Sequence, residues 1–196
     1  MVLLSRLAEM LYFCSCNSNE NMIMKKQIMI FVALLTMATF GTSVYAQTPE
    51  NKASVVKTID ANVEGTDVLS VIAKNYKGKV VVIDFWATWC GPCRQAMKLI
   101  DEIKPELQKK GVVFVYITGE SSPLEKWQGM IANIEGEHYR LTNQQWGKLC
   151  GSLGLLGIPS YMILNKDGST AYDNFKTGGY PGSEVLQNQA EVALTK

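Results

Sequence analysis

Residues 79–94 read KVVVIDFWATWCGPCR, and this stretch decides the fold. Its first half, Lys79 to Trp86, is an unbroken β-branched and aromatic run of the kind that forms a strand buried on both faces. Asp84 is the anomaly inside it, an acid where a sheet interior disfavours charge. The second half sets Cys90 and Cys93 around Gly91 and Pro92, at the point where the strand pattern gives way to a helical one. Arg94 to Lys110 then carries Met97, Ile100, Ile103 and Leu107 at helical intervals, with Leu99 beside them and Gly111 as a C-cap. Val112 to Thr118 is a second buried strand. Strand, helix, strand is a βαβ unit, so the two strands should run parallel.

Working outward, Val68, Leu69, Ile72 and Tyr76 lie at helical spacing within Val63 to Tyr76, after a Thr66 suited to N-capping. On the C-terminal side Ser122 is expected to cap a helix through Trp127, Ile131 and Ile134, with Pro123 in its first turn. Glu137 to Leu141 is a short candidate strand, and Asn143 to Gly151 reads as a helix with Trp146, Leu149 and Cys150 apolar. Ser160 to Leu164 is a strand, joined through the turn Asn165-Lys166-Asp167-Gly168 to a partner near Thr170 to Phe175. After the glycines near Gly178, Ser183 should cap a terminal helix that turns Leu186, Ala190 and Leu194 inward.

The N-terminal 46 residues have the order of an export signal. Lys25 and Lys26 precede an apolar run from Ile28 to Phe40, and Val44-Tyr45-Ala46 supplies a small-residue cleavage site. Cleavage after Ala46 is expected, because a membrane anchor needs roughly 20 apolar residues and this core is shorter. Met1 to Asn21 fits poorly as the start of such a signal, so translation is expected to begin at Met22 or Met24. Gln47 to Asn62 is polar and mixed, and reads as a linker.

Composition sets limits on function. With 47% apolar and 19% charged residues, the chain of 196 residues is neither disordered nor fibrous. A net charge of +1 gives no electrostatic case for a nucleic-acid partner. Without residues 1–46 the balance is 16 basic to 16 acidic, so docking should rest on shape and backbone pairing. The five cysteines are an odd, uneven set that does not suit a disulfide scaffold.

The chemistry of the pair follows from its place. Cys90 lies at or just before a helix N-terminus, where free amides and the positive end of the helix dipole stabilise a thiolate. It is therefore expected to be the exposed nucleophile that forms a mixed disulfide with substrate, which the more buried Cys93 resolves. Pro92 fixes the backbone and removes an amide donor, which tunes thiolate stability. Gly91 leaves room for an approaching chain.

The run Phe85-Trp86-Ala87-Thr88-Trp89-Cys90-Gly91-Pro92-Cys93-Arg94 resembles the active site of thioredoxin-fold proteins, specifically the exported TlpA/ResA-like thiol-disulfide reductases. The likeness spans roughly Thr66 to Tyr180. It implies an α/β thioredoxin fold, a central mixed sheet flanked by helices, with an N-terminal extension and an insertion after the first βαβ unit. The domain so implied is 63–196. Gly157-Ile158-Pro159-Ser160 matches the family's cis-proline turn, which makes Pro159, with Ile158 and Trp89, a substrate-docking element by resemblance. Asp84 stands where thioredoxins hold a buried acid, and burial would raise its pKa and suit it to accept a proton from Cys93. The chain departs from the family in carrying Ala96 where many members have a glutamate, and Lys98 where thioredoxins have a proline.

The resemblance implies reduction of protein disulfides in the periplasm, fed by a membrane-embedded dithiol donor and needing no cofactor. Two other readings compete: a peroxiredoxin-type peroxidase, whose Pro-x-x-x-Thr-x-x-Cys loop is missing, and a non-catalytic peptide-binding module. A zinc site lacks a second ligand pair, since only Cys150 and His138 remain. His138 is expected to be an exposed or half-buried strand residue, and Cys150 a small core residue.

Overall fold

A computed structural model of the chain describes residues 54–196. The expected signal peptide and the start at Met22 or Met24 lie outside the described residues. Six strands form one mixed sheet: β1 (Ser54–Lys57), β2 (Val81–Phe85), β3 (Val113–Gly119), β4 (Gly136–Leu141), β5 (Ser160–Leu164) and β6 (Thr170–Asp173), in the order β1-β4-β3-β2-β5-β6. β1, β4, β3 and β2 run parallel, while β5 is antiparallel to β2, and β6 to β5. Five α-helices cover it: α1 (Val68–Asn75), α2 (Gly91–Lys109), α3 (Leu124–Ile131), α4 (Asn143–Leu153) and α5 (Ser183–Leu194).

The alternation of side chains along β2 sorts the core into two layers. Val82 and Trp86 point to the face covered by α2, α3 and α5, where they meet Met97, Ile100, Trp127, Leu186 and Ala190. Val81, Ile83 and Phe85 point to the opposite face, against Val68 and Ile72 of α1 and Leu149 of α4. Every residue of β2 is buried, as its apolar run requires. The βαβ unit β2-α2-β3 is parallel as expected, and the insertion after it is α3 with β4, which enters the sheet between β1 and β3.

Several expectations need correction. The stretch Gln47 to Asn62, read as a linker, contains β1, which pairs with β4 from Ser54 opposite Gly136 to Lys57 opposite Tyr139. His138 is fully buried, where an exposed or half-buried position was expected, because its ring stacks on Tyr116 and its Nε2 meets the Ile134 carbonyl. Thr66 caps no helix: it lies in a 3-10 turn, Gly65–Asp67, that precedes α1. Ser122 is not the cap of α3 either, since Pro123 takes that place and the Ser122 hydroxyl turns inward. At α5 the N-cap is Gly182, and Ser183 is drawn to the Leu99 carbonyl, to which its hydroxyl donates. Cys150 is half-buried on α4, short of a core position, and burial lifts its thiol to about 11.

Candidate active site

The polypeptide leaves β2 at Phe85 and enters α2 at Gly91, so the intervening loop carries the first cysteine to the helix start. Cys90 is the N-cap of α2, in an extended conformation, and its Sγ accepts from the backbone N–H of Cys93 at 3.2 Å. Gly91 and Pro92 open the helix; Pro92 brings no amide of its own, and the first turn contains no acidic residue to offset the dipole. Cys90 and Cys93 are joined as a disulfide, so the structure is that of the oxidised protein. Cys93 is fully buried, and Cys90, expected to be exposed, keeps only 4% of its surface. A Cβ built on Gly91 would meet nothing within 4 Å, so the approach over the disulfide is open on that side.

The loop before Cys90 is held at Thr88. Its N–H donates to Ser122 Oγ at 3.0 Å, and its carbonyl accepts from Arg94 Nη1 at 2.8 Å. Ser122 is in turn paired with Thr118 Oγ1 at 2.8 Å, which ties the loop to the end of β3. Trp89, next in sequence, projects outward with 58% of its surface exposed and Nε1 directed at Ser121 Oγ.

Across from the disulfide the Ile158–Pro159 peptide bond is cis, and the Ile158 carbonyl oxygen lies 3.9 Å from Cys90 Sγ. Pro159 is buried and Ile158 half-buried. This turn is pinned from behind. The Pro159 carbonyl accepts from Gly179 N at 2.8 Å, and Asn174 accepts from Tyr161 N at 2.7 Å while donating to the Gly179 carbonyl at 2.8 Å. Gly178 and Gly179 have φ of 63° and 78°, the left-handed region that glycine enters without strain. The loop can therefore fold back onto the proline.

Asp84 lies beneath, on the same face of β2 as Val82 and Trp86, between Tyr116 of β3 and Tyr161 of β5. It is 3% exposed, and neither carboxylate oxygen meets a hydrogen-bond donor among the described residues. Burial drives its pKa up to about 8, against the pull of the Lys104 ammonium. The same burial lifts the Tyr116 and Tyr161 hydroxyls above their ordinary range.

The structure thus brings together Cys90, Cys93, Gly91, Pro92, Ile158 and Pro159 around one disulfide, with Asp84 in the layer below and Trp89 on the rim. Three contributors were missed from sequence: Ser122, Asn174 and Lys104. Ser122 was read as a helix cap, and Asn174 sits in a loop with no local pattern to single it out. Lys104 had a visible signal. It falls on the stripe Cys93, Met97, Ile100, Lys104, Leu107 that α2 buries, a charged residue at an apolar position.

Comparison with known proteins agrees with this geometry. The family model described as Redoxin matches residues 48–178. A thiol-disulfide oxidoreductase ResA of Bacillus thuringiensis is 24% identical over 157 residues, 74% of this chain and 86% of the relative. A thiol:disulfide interchange protein HelX of Rhodobacter capsulatus is 26% identical over 150 residues, 71% of this chain and 82% of the relative. In fold, the chain is similar to the thioredoxin domain of a thiol-disulfide oxidoreductase from Bacteroides vulgatus, with a TM-score of 0.54 at 19% identity over 62% of this chain and 83% of that one.

Proposed function

The chain belongs to the redoxin family, as a TlpA/ResA-like thiol-disulfide oxidoreductase of the thioredoxin superfamily, and from that premise we propose that it is an exported reductase of protein disulfides. The observation that carries the reading is the placement of Cys90 at the start of α2 with its sulfur 3.9 Å from the carbonyl before a cis-proline. A substrate chain laid along Ile158 and Pro159 in extended form brings its disulfide to Cys90, with Trp89 on the rim. The helix terminus stabilises the Cys90 thiolate, which attacks one substrate sulfur and expels the other. Cys93 gives up its proton to Asp84 and attacks Cys90 Sγ. The enzyme disulfide closes, and the second substrate sulfur leaves as a thiolate that takes a proton. Two electrons pass from the enzyme dithiol to the substrate disulfide.

Export to the periplasm is supported by Lys25 and Lys26, the apolar run after them and the Val44-Tyr45-Ala46 site. No described helix is long and apolar enough to cross a membrane. In an oxidising compartment the enzyme disulfide must be reopened, and a membrane-embedded dithiol protein is the donor that this location supplies. The Cys-Gly-Pro-Cys sequence favours the reducing direction, since thioredoxin-type pairs sit near about −270 mV.

The test is capture on the Cys93→Ala variant, which stalls at the mixed disulfide. Expressed with its own N-terminal segment, it should accumulate adducts that a small thiol reagent releases, and the Cys90→Ala, Cys93→Ala double variant should accumulate none. Equal adduct yields from both variants, or none from either, would overturn the proposal.

A further inference from the structure

The edge strand β6 ends at Asp173, opposite Met162 of β5 and short of the cis-proline turn. At the next position the ladder continues through a side chain. Asn174 N donates to the Tyr161 carbonyl at 3.2 Å, as a strand residue would, but the Tyr161 N–H donates to Asn174 Oδ1 at 2.7 Å. The chain then turns through the exposed Lys176 and Thr177, and the Asn174 carbonyl accepts from Thr177 N at 3.1 Å and Gly178 N at 2.8 Å. Where it returns, the Gly179 carbonyl accepts from Asn174 Nδ2 at 2.8 Å, and the Gly179 N–H donates to the Pro159 carbonyl at 2.8 Å. The buried primary amide of Asn174 thus stands in for a missing peptide unit, one acceptor and one donor, each of them used. The same segment holds the turn at a second point, since Leu156 N donates to the Phe175 carbonyl at 3.3 Å.

We propose that Asn174 is a positioning residue for substrate docking: its amide holds Gly179 against Pro159, and so fixes the line along which the Ile158 backbone meets a substrate chain beside the disulfide. The inference rests on the reading of Ile158 and Pro159 as the docking element. Ile158 lies between the two points of attachment, at Leu156 and Pro159. Its N–H meets no acceptor among the described residues, and its carbonyl oxygen is 3.9 Å from Cys90 Sγ. An extended chain can pair with these two groups only while they keep their direction, because a hydrogen bond weakens steeply once it is bent. Ser160 Oγ, which donates to the Gly157 carbonyl at 2.7 Å, braces the turn within itself. Its attachment to the neighbouring strand falls to Phe175 and Gly179, and Asn174 sets the return of the chain between them. The Asn174 side chain bonds to Tyr161 and Gly179 and to neither cysteine, so removing it leaves the dithiol in the hold of α2, Ser122 and Arg94. Asn174 therefore acts on disulfides carried by a polypeptide, whereas a small disulfide, which needs only the dithiol, is indifferent to it.

The experiment compares two kinds of disulfide in single turnover. Reduced full-length chain, with Cys14, Cys16 and Cys150 replaced by serine, is held in excess over either a small aromatic disulfide or a pair of short peptides joined by one disulfide and carrying a fluorophore and its quencher. In Asn174→Ala the half-saturation concentration for the peptide should rise roughly tenfold, the worth of one aligned hydrogen bond. The limiting rate with the peptide, and the rate with the aromatic disulfide, should stay as they are with Asn174 in place. Asn174→Asp keeps an acceptor for the Tyr161 N–H, but only the protonated carboxyl can donate to the Gly179 carbonyl. Its half-saturation concentration should be raised at pH 8 and return toward that of the Asn174 protein at pH 5, the two being measured side by side. The titratable groups around position 174, Asp173, Lys176, Tyr161 and the Tyr180 packed on it, are common to both proteins. This isosteric variant also keeps the test open if Asn174→Ala does not fold. A third probe, the same peptide N-methylated at the amides beside its cysteine, should bind the Asn174 protein more weakly, and Asn174→Ala should then add nothing. A methylated peptide that saturates the Asn174 protein as the parent peptide does defeats the docking reading. If methylation weakens binding, yet the Asn174 variants saturate normally or lose both kinds of disulfide alike, the Asn174 proposal alone is defeated.

Discussion

Replacing Ser122 by alanine tests how the loop before the disulfide is held. Ser122 is fully buried and serves two neighbours: its Oγ accepts from the Thr88 N–H at 3.0 Å and pairs with Thr118 Oγ1 at 2.8 Å. Alanine leaves the Thr88 N–H without that acceptor in a buried setting, a loss of about 1–3 kcal/mol, and leaves the Thr118 hydroxyl to find a new partner for up to about 1 kcal/mol more. The sum is about 1–4 kcal/mol, with its middle at about 2–3 kcal/mol. For a domain of this size a urea slope of about 2 kcal/mol per molar converts that into a midpoint lower by about 1–1.5 M. The measurement is equilibrium urea unfolding of the oxidised protein followed by tryptophan fluorescence and circular dichroism. The neighbouring Ser121→Ala removes only a long bond at an exposed tryptophan and should stay within about 0.5 kcal/mol of wild type. Thr118→Val should cost less than Ser122→Ala, because the bond to Thr88 survives it. A cycle of the three should show a coupling of about 0.5–1 kcal/mol between positions 118 and 122. A Ser122→Ala midpoint indistinguishable from that of Ser121→Ala would refute the claim that this hydroxyl anchors the loop.

Other outcomes follow from the same geometry. His138 is buried with its pKa lowered to about 4 from an ordinary 6.5, so its stabilising contribution is whole above pH 6.5 and is lost as pH falls through 4. The loss amounts to about 3 kcal/mol, and a His138→Phe variant followed by urea midpoints should show a flatter dependence in that window. Asp84 has the opposite sign: with its pKa raised to about 8, the protein is favoured below the unfolded carboxyl value and loses stability as pH rises through 8. Asp84→Asn should therefore be more stable than wild type at pH 7, by up to about 4 kcal/mol, and a less stable variant at that pH would contradict the burial argument. Gly65 has no room for a methyl group, since a Cβ there would lie 2.5 Å from Lys148 Cβ and 2.6 Å from the Gln145 carbonyl oxygen. Gly65→Ala should lower stability by about 1–3 kcal/mol in thermal unfolding.

The parts legible from sequence are those whose information is local. The run from Lys79 to Trp86 could only be a doubly buried strand, the cysteines mark the start of α2, and the observed strand Ser160–Leu164 has the bounds its apolar run gave it. The misses at Ser122 and Ser183 share a cause. Each hydroxyl residue suited an N-cap, yet a capping preference of about 1 kcal/mol is readily outweighed by a tertiary partner. Ser122 found Thr88 and Thr118, and Ser183 found Leu99. Asn174 is a similar case: its side-chain partners Tyr161 and Gly179, and through Gly179 the Pro159 carbonyl, converge only when β5 and β6 pair.

The misreading of β1 had the widest consequence, because a strand with little apolar character of its own depends on its neighbour for its existence. Ser54 to Lys57 buries almost nothing by itself, and its place comes from hydrogen bonding to β4. β4 in turn is ordered on its α1 face by Tyr76, whose hydroxyl donates to Glu137 at 2.6 Å and pairs with Tyr139 at 2.9 Å, and Lys57 closes on Glu137 at 3.6 Å. With β1 in place β4 is an interior strand. His138 is buried within it: its Nε2–H donates to the Ile134 carbonyl at 2.8 Å and its ring stacks on Tyr116, the neighbour of Asp84 on the next strand. A polar segment at the edge of the sheet thus makes β4 an interior strand by backbone pairing, while the burial of His138 within that strand lowers its pKa to about 4.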